Sequence, residues 1–279
     1  MTETVDMDHL RGWIGREEAQ VETVTKALIE RFEATIGRAL HREADAAPLA
    51  IHWCLAPPAV APEGLGPDGH PARGGFLPPV PLPRRMWAGG AMTFLRPLKP
   101  GDVVTRRSRI ADIVHKTGRS GELVFVTVAH DIIADGEVAV SERQDIVYRP
   151  MDAAKPTPVP DQPRVGAHSI SVDATTTLLF RYSALTFNGH RIHYDVDYAR
   201  SEEGYPGLVV HGPLQATLML HLAARLSDGR PVATFSYRGV SPLFHGPPFT
   251  VNADDTDDGF DLWCADRQGR TTMQAQATF

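Results

Sequence analysis

The chain has 279 residues, 42% of them hydrophobic and 22% charged, with a formal net charge of −6. That is enough to bury a substantial core in one large unit or two small ones, and no apolar run approaches the ~18 residues that a membrane span needs. An acidic balance without a basic tract speaks against nucleic acid as the main partner, and the two distant cysteines, Cys54 and Cys264, suggest neither a disulfide framework nor a CxxC metal site.

The start of the chain, MTETVDMDHLRGW, is polar and acidic, with no apolar core of a secretory signal and too few arginines for a transit peptide, so a cytoplasmic location is expected. Val21, Val24, Leu28 and Phe32 then recur at three- and four-residue steps before Gly37, which predicts an amphipathic helix with a glycine stop. From Ala56 to Arg84 proline and glycine are so frequent that neither helix nor central strand should persist, and a long ordered loop or lid is expected. Three β-rich stretches follow, around Val103 to Val114, Leu123 to Ala134 and Val138 to Tyr148, with turns at Lys116-Thr117-Gly118 and Asp135-Gly136. They read as an antiparallel meander. Arg106, Arg107 and Arg109 in its first strand offer a phosphate contact, but a solvated strand face is the default for such a cluster. Pro150 to Pro163 is Pro-rich and reads as a linker.

The second half repeats the plan. Pro213 to Leu226 is apolar around most of its circumference, as for a helix enclosed by a sheet. Strand patterns follow at Val232 to Tyr237, Phe249 to Ala253, Phe260 to Ala265 and Thr271 to Thr278, with turns at Asp258-Gly259 and Gln268-Gly269. Pro97-Leu98-Lys99-Pro100-Gly101 before the first meander is echoed by Pro242-Leu243-Phe244-His245-Gly246 before the second. The parallel order of helix, Pro-Leu turn and meander predicts a duplicated α+β unit, residues 1–150 and 165–279, joined by a linker at 151–164.

Polar chemistry concentrates between Arg181 and Ala199, RYSALTFNGHRIHYDVDYA, where Ser183, Thr186, Asn188, His190, His193, Tyr194 and Asp195 crowd one stretch. Soon after, Gly212 and Pro213 fit the cap and first position of the buried helix. The unpaired N–H groups and positive dipole end there suit a developing negative oxygen, and glycine lets a ligand approach the backbone.

These residues carry a resemblance. Tyr182 to Ala199 resembles the GDxNPxH signature of the MaoC-like hotdog-fold hydratases and dehydratases, and Val210-His211-Gly212-Pro213-Leu214 resembles their helix-entry segment. Position by position, the family's catalytic histidine falls on His193 and its oxyanion-binding glycine on Gly212; its aspartate falls on Asn188, its second polar residue on His190 and its proline on Arg191. The string FRYSALTFNGHRIHYD, with Arg85-Met86-Trp87-Ala88-Gly89-Gly90 in the first half, is similar to a narrower double-hotdog branch covering nearly the whole chain. That branch contains mesaconyl-C4-CoA (3-methylfumaryl-CoA) hydratase, itaconyl-CoA hydratase and mitochondrial-type 3-hydroxyacyl-thioester dehydratases.

The resemblance implies two tandem halves, each an antiparallel sheet wrapped around a central helix, with one catalytic set in the second half and the first half a pseudo-partner shaping the acyl tunnel. It implies reversible hydration of an enoyl-CoA, with mesaconyl-C4-CoA as best guess and itaconyl-CoA or longer 3-hydroxyacyl thioesters as alternatives. A non-catalytic acyl-thioester-binding protein, suggested by Asn188, and a thioesterase on the same fold are readings of other classes. His193 is the expected acid/base and Gly212 N–H the oxyanion donor. Asn188 is expected to orient the water through its carbonyl. His190 flanks the substrate, Trp87, Gly89 and Gly90 line the tunnel, and Arg181 or Arg191 meets a free carboxylate. No metal or redox cofactor is implied, coenzyme A being part of the substrate. The partner is a small-molecule acyl-CoA thioester rather than nucleic acid or membrane, and a homodimer stays open.

Overall fold

In the computed structural model the described residues are 5–118, 121–151 and 158–279. In chain order they form α1 (Met7–Arg11), β1 (Glu17–Thr23), α2 (Lys26–Ile36), β2 (Arg84–Phe94), β3 (Val103–Gly118), β4 (Gly121–Ala134), β5 (Glu137–Arg149), β6 (His168–Val172), α3 (Thr176–Leu185), α4 (Val196–Ser201), α5 (Gly212–Leu226), β7 (Thr234–Gly239), β8 (Phe249–Asp255), β9 (Gly259–Ala265) and β10 (Thr271–Thr278). The strands join one antiparallel sheet in the order β1-β3-β4-β5-β2-β7-β10-β9-β8-β6. Advancing each of the first five strands by five places reproduces the other five in reverse, so the sheet is two like units meeting edge to edge at β2 and β7. The fold class is α+β.

The meander strands fall where alternation placed them, and the turn at Asp135-Gly136 has both residues in the left-handed region, φ 53° and 80°, as a two-residue hairpin requires. At the N-terminus the helix begins later than expected. Thr25 accepts a hydrogen bond from Leu28 N at 3.1 Å and caps α2. Val21 lies before that cap, in β1, paired with Thr105 of β3 and exposed. An extended stretch with a free sheet edge beside it gains ladder hydrogen bonds that three- and four-residue spacing does not reveal. The short strand β6 and the helices α3 and α4 are further elements with weak sequence signals. Of the expected linker at 151–164, residues 152–157 lie outside the described residues, and 158–164 form neither helix nor strand. Residues 119–120 also lie outside them.

Helix α5 is buried from Leu214 through Ala224 and packs on β7 to β10. Its polar residues are satisfied inside the core. Gln215 Oε1 accepts from Thr272 Oγ1 at 2.7 Å, and His221 Nδ1 accepts from His41 N at 3.1 Å while Nε2 meets the Leu49 carbonyl at 3.1 Å. In the first unit, α2 buries one stripe, Leu28, Phe32 and Ile36, and packs against α3. Helices α2 and α3 each follow the first strand of their unit and each start from a threonine cap. Where the second unit then has the long α5, the first has the short 3-10 turn Ile51–Cys54. That difference leaves the inner faces of β4 and β5 bordering a cavity rather than a helix.

The seam between units depends on two glycines. A Cβ on Gly89 would stand 2.6 Å from the Tyr237 carbonyl oxygen, and one on Gly90 would stand 2.3 Å from Arg143 O and 2.4 Å from Tyr237 Oη. Gly90→Ala is expected to cost about 1–3 kcal/mol by overpacking, read as a lower midpoint in chemical denaturation; an unchanged midpoint would show that the seam has slack.

Candidate active site

A cavity of about 1880 Å³ lies against the seam, bounded by Trp87, Phe125 and Ile146 from the first unit and by Asn188, His193 and Gly212 from the second. It exceeds the roughly 300–1,000 Å³ of most small-ligand pockets and has room for a long, flexible thioester.

His193 sits in a 3-10 turn, Arg191–His193, and is buried. Its Nδ1 lies 2.7 Å from the carbonyl oxygen of Val209. A carbonyl only accepts, so Nδ1 carries the proton and Nε2 is left as the basic nitrogen. The ring stacks on His211 with centroids 3.6 Å apart and meets His190 edge-on at 5.4 Å. Burial, only partly opposed by the Val209 hydrogen bond, pushes the His193 pKa down to about 4. His211 is held in turn by Ser183, whose Oγ is 2.8 Å from its Nε2. Burial, with the neighbouring histidines, holds His190 and His211 below the usual imidazole range. The set is therefore neutral near pH 7.

Asn188 is placed beside these rings, but its carbonyl has other work. Oδ1 accepts the His190 backbone N–H at 2.9 Å, an Asx turn that shapes the loop. Because the donor is a backbone amide, the assignment of oxygen to that position follows, and the side-chain N–H₂ is the free end. One lone pair of Oδ1 is thereby used in the turn, and the side-chain N–H₂ is available as a donor. Gly212 opens α5, where helix geometry leaves its N–H without an i−4 partner. A Cβ there would lie 2.9 Å from Trp87 Cε3, so glycine is needed for the indole to close over the helix entry.

Several expected site residues lie elsewhere. Arg181 is exposed, with Nη1 3.4 Å from the Ala34 carbonyl, away from the cavity. Arg191 donates to Asp195 Oδ2 from Nε and Nη2, at 3.1 and 2.8 Å, and lies over the Tyr198 ring; its charge is spent. Gly89 and Gly90 serve the strand seam and do not border the cavity. Tyr194 borders the cavity but is half exposed, donating to Gly189 O, and Asp195 caps α4 away from it. Of the basic strand cluster, Arg107 is exposed and paired with Asp131, Arg109 is exposed, and Arg106 borders the cavity.

The Pro/Gly-rich loop supplies residues that sequence reasoning passed over. Arg191 N donates to Asp68 O at 2.9 Å and Arg191 Nη1 to Pro67 O at 3.1 Å, docking the loop on the Arg191–His193 turn. Gly69, at φ +85°, approaches Gly189 so closely that a Cβ would stand 2.1 Å from its carbonyl oxygen. This brings the His70 ring to 4.2 Å from that of His190, with His70 Nδ1 3.1 Å from Asp68 Oδ2. Burial would raise the Asp68 pKa, but the His70 hydrogen bond and the charges of His70 and Arg85 outweigh it and keep the carboxylate ionised. The available signal was the string PDGHP: two titratable side chains in a loop otherwise built for backbone shape. Asp68, His70 and His190 bring three potential metal-ligand atoms within 4.8 Å of one another. Arg85, with Nη2 3.8 Å from Asp68 Oδ2, sets a fixed positive charge against that cluster, which favours a hydrogen-bonded chain over a cation.

Known proteins place this geometry. Residues 50–245 match the family described as hydroxyacyl-thioester dehydratase type 2. Over 267 residues the chain is 43% identical to the mesaconyl-C(4)-CoA hydratase of Chloroflexus aurantiacus, covering 94% of this chain and 95% of that protein. Among solved structures, a MaoC-like dehydratase from Phytophthora capsici superposes with a TM-score of 0.70 at 14% identity, over 99% of this chain and 98% of the other. A conserved hypothetical protein of Mycobacterium tuberculosis with a double hotdog fold gives a TM-score of 0.55 at 13% identity, over 95% of each chain. The fold is a double hotdog.

The buried histidines predict a direction for acid stability. His193 and His130 titrate at about 4 and His221 at about 3 in the folded chain, each lowered first by burial from 6.5. Below pH 6.5 the unfolded chain therefore binds more protons, so their contribution is complete above that pH and drains away as pH falls toward 4. Urea midpoints should be level from pH 8 to 7 and drop between 6.5 and 4. His193→Gln should make that drop shallower, by up to about one proton in the slope; an identical slope would mean that His193 is not buried neutral.

Proposed function

We propose a reaction for this chain from one premise: the chain belongs to the hydroxyacyl-thioester dehydratase type 2 family. It is a hydro-lyase of acyl-CoA thioesters, and its best substrate is mesaconyl-C4-CoA, hydrated reversibly to citramalyl-CoA. The observation that carries the chemistry is His193, whose proton is fixed on Nδ1 by Val209, leaving Nε2 as base in the cavity where helix α5 begins. The substrate choice is supported by the 43% identical relative, which spans nearly the same length.

Adding water to a double bond conjugated with a thioester needs three things: a base for water, a proton for the α-carbon, and a donor to the enolate-like oxygen. His193 Nε2 takes a proton as the water oxygen bonds to the β-carbon, and the electron pair moves to the thioester oxygen. The Gly212 N–H and the positive end of α5 hold that oxygen. The proton on His193 then passes to the α-carbon as the carbonyl reforms, leaving the imidazole neutral as it began. Asn188 donates its N–H₂ to the water oxygen and fixes the face of attack. His190, packed between His70 and the edge of His193, keeps bulk water from the base. The first unit, residues 1–150, shapes the acyl tunnel, and 165–279 carries the acid/base. No separate cofactor enters these steps. A cytoplasmic location is part of the proposal; no helix among the described residues is long and apolar enough to cross a membrane.

A second reading, dehydration of longer 3-hydroxyacyl thioesters, is favoured by the family's name and by the apolar wall that Leu123, Phe125, Val128 and Ile146 present to the cavity. Incubation with crotonyl-CoA, mesaconyl-C4-CoA, itaconyl-CoA and a long-chain 3-hydroxyacyl-CoA, with product mass as readout, ranks the candidates. Absence of turnover on all of them would replace hydration with acyl-thioester binding alone.

His193→Ala is expected to lower kcat/KM by about 10²–10⁴-fold while the chain stays folded, and Asn188→Ala to lower it less. Retained activity in the His193 variant would move the base elsewhere. Since free His193 titrates at about 4, kcat/KM for hydration should be level from pH 8 to about 5 and fall below it; an acid limb centred near 6.5 would contradict the buried, neutral base.

A further inference from the structure

In the proposed substrate the free carboxylate is bonded to the carbon that receives the hydroxyl. Its binding cation must therefore stand next to the groups that handle water and the thioester oxygen, not at the far end of a tunnel. Arg181 and Arg191 fail that test by position and pairing. Most other arginines at the cavity are committed or distant. Arg73 donates to the carbonyls of Val80 and Leu82 at 2.7 and 2.6 Å, Arg84 pairs with Glu203 at 3.1 Å, and Arg238 donates to Gln274 at 3.1 Å. Arg149 is the cross-strand partner of Arg84 and shares its face. Arg106 lies on β3, which β4 and β5 separate from β2.

Arg85 is different. It lies two residues before Trp87 on β2, hence on the same face and about 7 Å along the strand, and Trp87 closes directly on Gly212. From the other side, Asp68 links it to His70 and so to His190. Its side chain is 10% exposed and borders the cavity, yet among the described residues its one ion pair is the contact to Asp68 at 3.8 Å, beyond hydrogen-bond length. Across the strand pair sits Tyr148, whose buried hydroxyl lies close enough to Arg85 to feel its charge but meets no partner with full hydrogen-bond geometry among the described residues. A buried guanidinium with no carboxylate at hydrogen-bond distance, beside a phenol whose own O–H is not donated, is a site for a planar anion.

We propose that Arg85, with Tyr148 beside it, binds the free carboxylate of the acyl group and makes the enzyme selective for dicarboxylic over monocarboxylic enoyl-CoA. The proposal rests on the hydratase reading above. The Asp68 carboxylate holds the guanidinium loosely while the site is empty, and the substrate carboxylate takes the fork by closer, bidentate contact.

The test measures kcat/KM for mesaconyl-C4-CoA and crotonyl-CoA, which lacks the carboxylate, in the wild-type chain and in Arg85→Gln and Arg85→Lys. The ratio of the two substrates should fall by about 10²-fold in Arg85→Gln and by less in Arg85→Lys, which keeps charge but loses the fork. Crotonyl-CoA turnover reports that each variant is folded with His193 in place. A ratio unchanged by either substitution overturns the proposal while leaving the hydratase reading intact. Should Arg85→Gln be inactive on both substrates, the ratio in Arg85→Lys decides by the same criterion. A wild-type chain that hydrates neither substrate overturns both.

Discussion

The edge-to-edge pairing of β2 with β7 is the contact on which the rest of the molecule depends. It joins two five-strand units into one sheet, and it works because Gly89 and Gly90 leave no side chain where the backbone and phenol of Tyr237 must pass. The same strand, β2, then carries Trp87 onto the N-terminus of α5 and Arg85 toward the histidines. Strand alternation fixes both at once. A change of register by one residue at the seam would turn Arg85 and Trp87 to the opposite face and dissolve the cavity wall.

A second constraint follows from the asymmetry between the units. The second unit fills its sheet with α5, while the first has a short 3-10 turn in the corresponding place. The sheet face left uncovered there becomes the wall of a cavity of about 1880 Å³. Duplication thus yields one filled unit that supplies a helix N-terminus and one hollow unit that supplies room.

Burial governs the electrostatics that result. His190, His193 and His211 stack or meet edge-on within one buried cluster, and a proton on any one raises the cost of a proton on the next. Neutral imidazoles are the outcome, with orientation set by the Val209 carbonyl and Ser183 hydroxyl. The ionised groups, Asp68 and Arg85, come from the other unit and meet the cluster only because Gly69 and Gly189 permit backbone contact. In this arrangement the neutral imidazoles and the ionised pair come from different halves of the chain.

The sequence by itself determined the duplicated α+β plan, the meanders and the buried helix, because alternation, helical periodicity and turn residues are local properties. His193, Asn188 and Gly212, which one short string and one helix entry carry, border one cavity. The sequence misplaced the start of α2, because the sheet edge that captures Val21 is supplied by β3, some eighty residues away in sequence. It likewise put Arg181 and Arg191 at the substrate, although neither borders the cavity, and passed over Arg85 and His70, which do. An arginine's pairing is not local: Asp195 and Tyr198 neutralise Arg191, while Arg85 is left nearly unpaired by a loop that crosses from the first unit. Only the tertiary structure decided which charges stay free, because that depends on what each side chain meets after the two units have closed.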